Sequence, residues 1–317
     1  MKTLYWLIKR EFWEHRGGFF WAPAITVAAF LLIAIMSLTV GEVMGHHAGM
    51  FPWDGHIKGF QPGDMSLEQL QQAGTVLDAS ICFSAIVVLA VMAIVVFFYC
   101  LGSLYDDRRD RSILFWESLP ISNWKTILSK VLSATVVAPV IATVIGVLFG
   151  LLLLVLGLFT AMFHGFNAWH FLIAAHPIQV TVEIIALIPL YALCALPTIG
   201  WLMLCSAWSR SMPFLWALVI PLASNLIVWW LDLIGLLNLN ARWYLQHVTA
   251  RLLFALRPAN WLQFSSQVQF DHVTTLDLLN LMGNYSALAS PELWAGVAAG
   301  IVMLAGAIWL RRWRTET

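Results

Sequence analysis

Long apolar runs alternate with shorter polar stretches along the whole chain. Six runs, residues 19–40, 79–101, 131–159, 178–207, 214–237 and 293–310, reach or approach the ~20 residues that an apolar helix needs to cross a hydrocarbon core. The third and fourth are longer than a crossing requires, so they are expected to tilt, bend or project beyond a bilayer. Pro139, Pro189, Pro197 and Pro221 fall inside runs and mark kink sites, because proline lacks the N–H of the helical ladder. Ahead of the first run, MKTLYWLIKREFWEHR places Leu4, Tyr5, Ile8 and Phe12 at spacings of three and four, with Lys2, Lys9, Glu11 and Glu14 between them. That pattern predicts an amphipathic helix over 1–18 lying along a membrane, with Trp6 and Trp13 in the headgroup layer and a corner at Gly17-Gly18. Three polar segments, 41–78, 160–177 and 238–292, separate the runs on one side. The last is too long for a plain connector. Leu245, Val248, Leu252, Leu253 and Leu256 predict a short helix in 242–256, and 274–282 is a second candidate. The expected fold is all-α: one transmembrane domain over 1–317 with six membrane helices and short helices before the last.

Composition agrees. The 317 residues are 61% hydrophobic and 11% charged, whereas soluble domains carry ~25% charged residues. The first run is longer than a signal-peptide core and is followed by GEVMGHH rather than a cleavage site, so it reads as a retained span. Cys82, Cys100, Cys194 and Cys205 all lie in or beside apolar runs and suggest small buried side chains rather than disulfides. Thirteen of the 17 Lys and Arg residues fall on the side of the termini and four on the other. By the positive-inside rule both termini are expected in the cytoplasm, in a multi-pass protein of the cytoplasmic (inner) membrane.

One stretch breaks the apolar pattern with charge. Residues 104–123 read LYDDRRDRSILFWESLPISN, and every residue from Asp106 to Arg111 is charged. Asp106–Arg109 and Asp107–Arg111 have the spacing and order of helix-supporting ion pairs. Ile113 to Trp116 form an apolar block too short to span, Pro120 ends the helix, and Ser122 or Asn123 can cap the next. These residues alone allow two readings: an amphipathic loop with its arginines on lipid phosphates, or a docking element.

The stretch resembles the loop between the second and third spans of the permeases of type-2 ABC transporters (ABC exporters). KREFWEHRGGFFWAPAI resembles the N-terminal helix and first span of the same family. The resemblance extends along the chain in span number and in the large segment before the last span. It implies a non-catalytic permease subunit whose interfacial helix and first loop contact a separate ATPase. The implied coupling residues are Tyr105, Asp106, Asp107, Arg108, Arg109, Asp110, Arg111, Phe115, Trp116, Glu117, Ser118 and Leu119. It further implies two ATPase copies carrying ATP and Mg, a second permease chain, identical or not, and short gate helices within 238–292. The chain has no phosphate-loop motif G-x-x-x-x-G-K-[ST], which fits a requirement for a partner that hydrolyses ATP.

Other features carry less. Glu183 and Asp232 are acids near outer ends of runs, where interface placement relieves the penalty of a charge in lipid. Facing a bundle interior, they would be candidates for cargo contact or gating. Eight of nine histidines lie outside, but His46, His47 and His56 match no metal motif and are expected to be loop residues without a ligand role. They nonetheless motivate a rival reading, a scaffold or assembly factor for an outer-side metalloprotein without transport of its own. Gly146-x-x-x-Gly150 and Gly296-x-x-x-Gly300 read as helix-packing features. No bound cofactor, catalytic constellation or nucleic-acid partner is indicated.

Overall fold

The computed structural model describes residues 2–47, 66–110, 122–235, 240–263 and 280–313. Every regular element among them is helical. Six helices are long and apolar enough to cross a membrane: Gly17–Gly45, Glu68–Arg109, Asn123–Phe163, Ala168–Trp208, Pro213–Ile234 and Pro291–Arg311, called the first to sixth spans. Each falls on one of the six apolar runs, and together they give a multi-pass membrane protein.

The helices exceed the runs where local polar chemistry extends them. The second span has 42 residues and the third and fourth have 41 each, so each contour is about 60 Å at 1.5 Å per residue. That is roughly twice the hydrocarbon thickness. The second-span helix begins at Leu67, well before the apolar run, because Ser66 and Gln69 form a reciprocal cap. Ser66 Oγ accepts from the Gln69 N–H at 3.2 Å, and Gln69 Oε1 accepts from the Ser66 N–H at 3.0 Å. Asp78, expected at the end of a polar segment, sits inside this helix and is buried. Its carboxylate accepts the His176 backbone N–H at 2.9 and 3.2 Å, which ties the second span to the fourth.

Two expected proline sites coincide with breaks. In the third span, one wider turn, Ser133–Val137, separates helix Asn123–Leu132 from helix Ala138–Phe163 just before Pro139. The fourth is divided into Ala168–Ala174, Pro177–Ala186 and Ile188–Trp208, with its last interruption at Leu187, two residues before Pro189. Pro197 and Pro221 lie inside continuous helices.

Glycine sets the closest helix contacts. A Cβ on Gly146 would come within 2.8 Å of Ala85 Cα, and one on Gly150 within 2.7 Å of Ile81 Cα, so the third span presses its backbone against the second. Ser84 Oγ donates across this contact to the Gly146 carbonyl at 2.9 Å. Between the fourth and sixth spans, a Cβ on Gly300 would lie 2.7 Å from the Leu196 carbonyl oxygen. Both G-x-x-x-G pairs therefore act as packing features. Gly300→Val is expected to destabilise the protein by about 1–3 kcal/mol through overpacking, lowering its melting temperature in detergent. Gly41→Ala, with nothing within 4 Å of its new methyl group, is the control for an uncrowded helical glycine and should melt no lower than wild type. The four cysteines are free and buried, packed as small apolar side chains.

Between the fifth and sixth spans the chain forms short helices: Ala241–Tyr244, Ala250–Phe254 and Leu281–Tyr285, with tight turns at Asn260–Gln263 and Ser286–Ala289. The expected helix over 242–256 is present, with one wider turn at Leu245–Thr249. Most of the second candidate, 274–282, lies outside the described residues. This segment packs deep along the fourth span. Thr198 Oγ1 donates to the Arg251 carbonyl at 2.6 Å and accepts the Ala255 N–H at 3.1 Å. Tyr191 OH donates to the Leu256 carbonyl at 2.9 Å. Thr198 lies only roughly 15 Å of helix rise from Trp208 at the termini end, so the segment re-enters the bundle rather than capping it.

Candidate functional site

The site is built where both chain termini meet the ends of the spans. The N-terminal helix, Lys2–Glu14, turns Leu7 and Glu11 into the protein and leaves Tyr5, Trp6 and Trp13 exposed. Glu11, expected on the charged face, therefore turns inward. The reason is a partner set that local periodicity does not contain. Glu11 is 1% exposed; Tyr99 OH donates to its Oε2 at 2.9 Å, and Lys130 Nζ lies 3.4 Å from its Oε1. Tyr99 is held edge-on by His15, at 4.8 Å, and by Phe19 of the first span, at 5.0 Å between ring centroids.

Lys130 joins this acid to the charged stretch. Its Nζ also lies 3.5 Å from Asp107 Oδ1, and Asp107 Oδ2 lies 3.8 Å from Arg311 Nη1 at the end of the sixth span. Lys130 and Arg311 are 2% and 5% exposed, so two acids and two bases share one nearly dry pocket. Their formal charges cancel, which makes such burial tolerable. Removing any one partner leaves an uncompensated charge. Arg10 on the same helix and His15 just past its end each lie 4.0 Å from Glu11.

A second set of contacts fixes the same stretch to the fourth span. The helix from the second span is interrupted at Leu104 and resumes at Tyr105–Arg109. The N–H groups of Leu104 and Tyr105 both donate to the buried Ser206 Oγ, at 3.1 and 3.0 Å. Arg108 reaches back to the Leu104 carbonyl at 3.3 Å, donates to the Ser206 carbonyl, and donates to the Ser209 carbonyl at 3.0 Å. A guanidinium at the last carbonyls of a helix satisfies orphan acceptors and suits the negative end of the helix dipole.

The charged stretch thus divides by face. Asp107 and Arg108 point into the bundle, Tyr105 is half-buried beside them, and Asp106, Arg109 and Asp110 are exposed. Asp107 faces Lys130 and Arg311, and its expected partner Arg111 lies outside the described residues. Arg111, Phe115, Trp116, Glu117, Ser118 and Leu119 lie outside the described residues, as does the block 113–116. Ser122 is the N-cap of the next helix, with extended backbone and no side-chain capping bond. Glu11, Tyr99, Lys130, Ser206 and Arg311 complete the site, and sequence reasoning did not select them.

The two candidate gating acids lie elsewhere. Glu183 accepts from Gln179 on its own helix at 2.9 Å. Asp232 is exposed at the end of the fifth span, where its Oδ2 accepts the Ala241 N–H at 3.4 Å. Of the histidines expected in outer loops, His164 pairs with Glu42 at 2.7 Å, His176 lies 3.8 Å from Asp78, and His247 lies 3.3 Å from Glu292. Each bridges two parts of the bundle. Among the described residues no group of three His, Cys, Asp or Glu is placed to hold a metal ion, and His56 lies outside them. Comparison of the chain with protein-family models, curated proteins and solved structures finds no match.

Proposed function

We propose that this chain is the transmembrane permease subunit of an ATP-driven exporter, powered by a separate ATPase that docks on the termini end. That end is the cytoplasmic one in this reading, and the N-terminal helix lies along the membrane surface there. The observation that carries the proposal is the two-sided charged turn after the second span. Asp106, Arg109 and Asp110 offer a polar docking face. Behind them, Asp107 and Arg108 connect to the N-terminal helix and to the third, fourth and sixth spans. A force applied to the exposed face would therefore reach four other segments through short polar contacts. Two ATPase copies, carrying ATP and Mg, and a second permease chain complete the assembly. The re-entrant segment between the fifth and sixth spans would close the far end of the cargo path, with Glu183 and Asp232 as candidate cargo or gate residues.

The test is co-purification followed by ATP hydrolysis in the reconstituted assembly. Arg109→Glu, which reverses an exposed charge and touches no internal contact given above, should weaken ATPase association by about tenfold or more, with the melting temperature of the chain unchanged. The proposal is wrong if no ATPase accompanies the wild-type chain and Arg109→Glu or Phe115→Asp leaves ATP hydrolysis untouched.

A further inference from the structure

At the termini end, the turn from the fourth span to the fifth forms an open hollow of about 310 Å³, lined by Trp208, Ser209, Arg210, Ser211 and Trp216. The fourth span ends at Trp208 and the fifth begins at Pro213. The hollow therefore sits where the hydrocarbon of a bilayer gives way to headgroups, the level that tryptophan favours. The two indoles form its wall, edge to face at 5.4 Å between ring centroids, and both are exposed. Arg210 and Ser211 are exposed on the turn itself. Among the described residues no acid pairs with the Arg210 guanidinium.

The protein's own structure does not use this arginine. The last carbonyls of the fourth span are served by Arg108, which donates to Ser206 and, at 3.0 Å, to Ser209. Most other cations of this end are committed as well. Lys130 and Arg311 face the buried acids, Arg10 pairs with Glu14 at 3.1 Å, and Lys9 and Lys125 lie over the rings of Trp6 and Trp124. Arg210 instead presents its donors to an open hollow, beside a serine hydroxyl. A planar guanidinium matches the oxygens of a phosphate and stays charged at any working pH.

The surroundings select the source of that phosphate. From Trp216, the exposed apolar residues Val219, Ala223 and Ile227 follow at spacings of three and four along the fifth span, so they share one face with it. An acyl chain can lie along this stripe while its headgroup fills the hollow, whereas a soluble phosphate would leave the stripe unused. The lining contains no carboxylate to answer a choline or ethanolamine cation. Indoles in contact at 5.4 Å also leave no slot between them for one. We infer that the hollow binds the headgroup of an anionic phospholipid from the leaflet on the termini side. Arg210 holds the phosphate oxygens, the Ser211 hydroxyl donates beside it, and the indoles of Trp208 and Trp216 lie against the glycerol. The volume is at the lower end of ligand clefts, which suits a headgroup rather than a whole lipid. The site lies within a single chain and does not depend on the exporter reading.

The experiment uses the full chain in phosphatidylcholine nanodiscs containing increasing amounts of a photoactivatable probe. The probe is phosphatidylglycerol or phosphatidylcholine, each with a diazirine near the glycerol end of one acyl chain. Phosphatidylglycerol should label the peptide Trp208–Trp216 saturably, and about fivefold more strongly than phosphatidylcholine, the factor that one basic residue contributes at an anionic headgroup. Arg210→Gln should lower that labelling to the phosphatidylcholine level. Its melting temperature in detergent should match wild type, because the guanidinium has no polar partner among the described residues. Arg16→Gln removes an exposed cation at the corner before the first span and should leave the labelling intact. Equal labelling by the two probes, or an equal loss in Arg16→Gln, would reduce the signal to general surface attraction and overturn the inference. Displacement of the probe by inorganic phosphate at constant ionic strength would assign a soluble anion and overturn it too. So would a lower melting temperature for Arg210→Gln in lipid-free detergent, which would make the arginine structural.

Discussion

Replacing Lys130 with methionine should lower stability by about 3–5 kcal/mol, the range for breaking a buried ion pair by removing one partner. Lys130 Nζ sits 3.4 Å from Glu11 and 3.5 Å from Asp107, and its side chain is 3% exposed. Methionine retains the apolar stem, so the loss comes from charge rather than from a cavity. The four-residue cluster then passes from formally neutral to one negative charge in excess, with Glu11 and Asp107 both facing the lost ammonium. Adding Glu11→Gln to Lys130→Met restores neutrality and should recover most of the loss. Glu11→Gln alone should act more weakly than Lys130→Met, because Lys130 keeps Asp107. Melting temperatures in detergent for the three variants complete a double-mutant cycle whose coupling term measures the pair. If Lys130→Met melts with wild type, the cluster does not hold the termini end together.

The six spans were legible because hydrocarbon selects apolar side chains one residue at a time, and local sequence records that selection. Helix ends were less legible where distant partners decide them. Asp78 looks like a loop residue until the His176 N–H, 98 positions away, supplies its hydrogen bonds. The re-entrant helix over 242–256 was visible from the spacing of its leucines, but its depth was not, since Thr198 and Tyr191 of the fourth span fix it.

The candidate site shows the same division. The cluster of charge at 106–111 announced itself by contrast with its surroundings. Which of those charges face inward depends on Lys130 and Arg311, each at the edge of an apolar run and readable there as a simple anchor at the membrane surface. Glu11 did carry a signal: it shares a helical face with Leu4, Leu7, Ile8 and His15, so an inward stripe centred on Leu7 would have included an acid. A buried acid on an amphipathic helix requires a base, and Lys130 is the nearest fit. Ser206 carried no comparable signal, because a hydroxyl in a small-residue stretch reads as neutral in hydropathy.

Ser206→Ala is the second large expected effect, and it separates holding from docking. The helix is interrupted at Leu104, so the amides of Leu104 and Tyr105 need acceptors beyond the regular ladder, and Ser206 Oγ serves both at 3.1 and 3.0 Å. Leu104 is 3% exposed, so water does not readily replace the hydroxyl. Loss of the acceptor should cost about 1–3 kcal/mol per buried N–H left unpaired, read as a lower melting temperature. Arg108→Lys should act on the other half of the joint, keeping the charge but losing the fork that reaches the Ser206 and Ser209 carbonyls. Neither change alters Asp106, Arg109 or Asp110. Under the exporter proposal, both variants should still retain the ATPase on co-purification while transport-linked ATP hydrolysis falls, whereas Arg109→Glu should lose the ATPase itself. Equal loss of association in all three would place the docking contact on the buried side of the turn. Full retention of hydrolysis in Ser206→Ala and Arg108→Lys would mean that the joint to the fourth span does not carry the stroke.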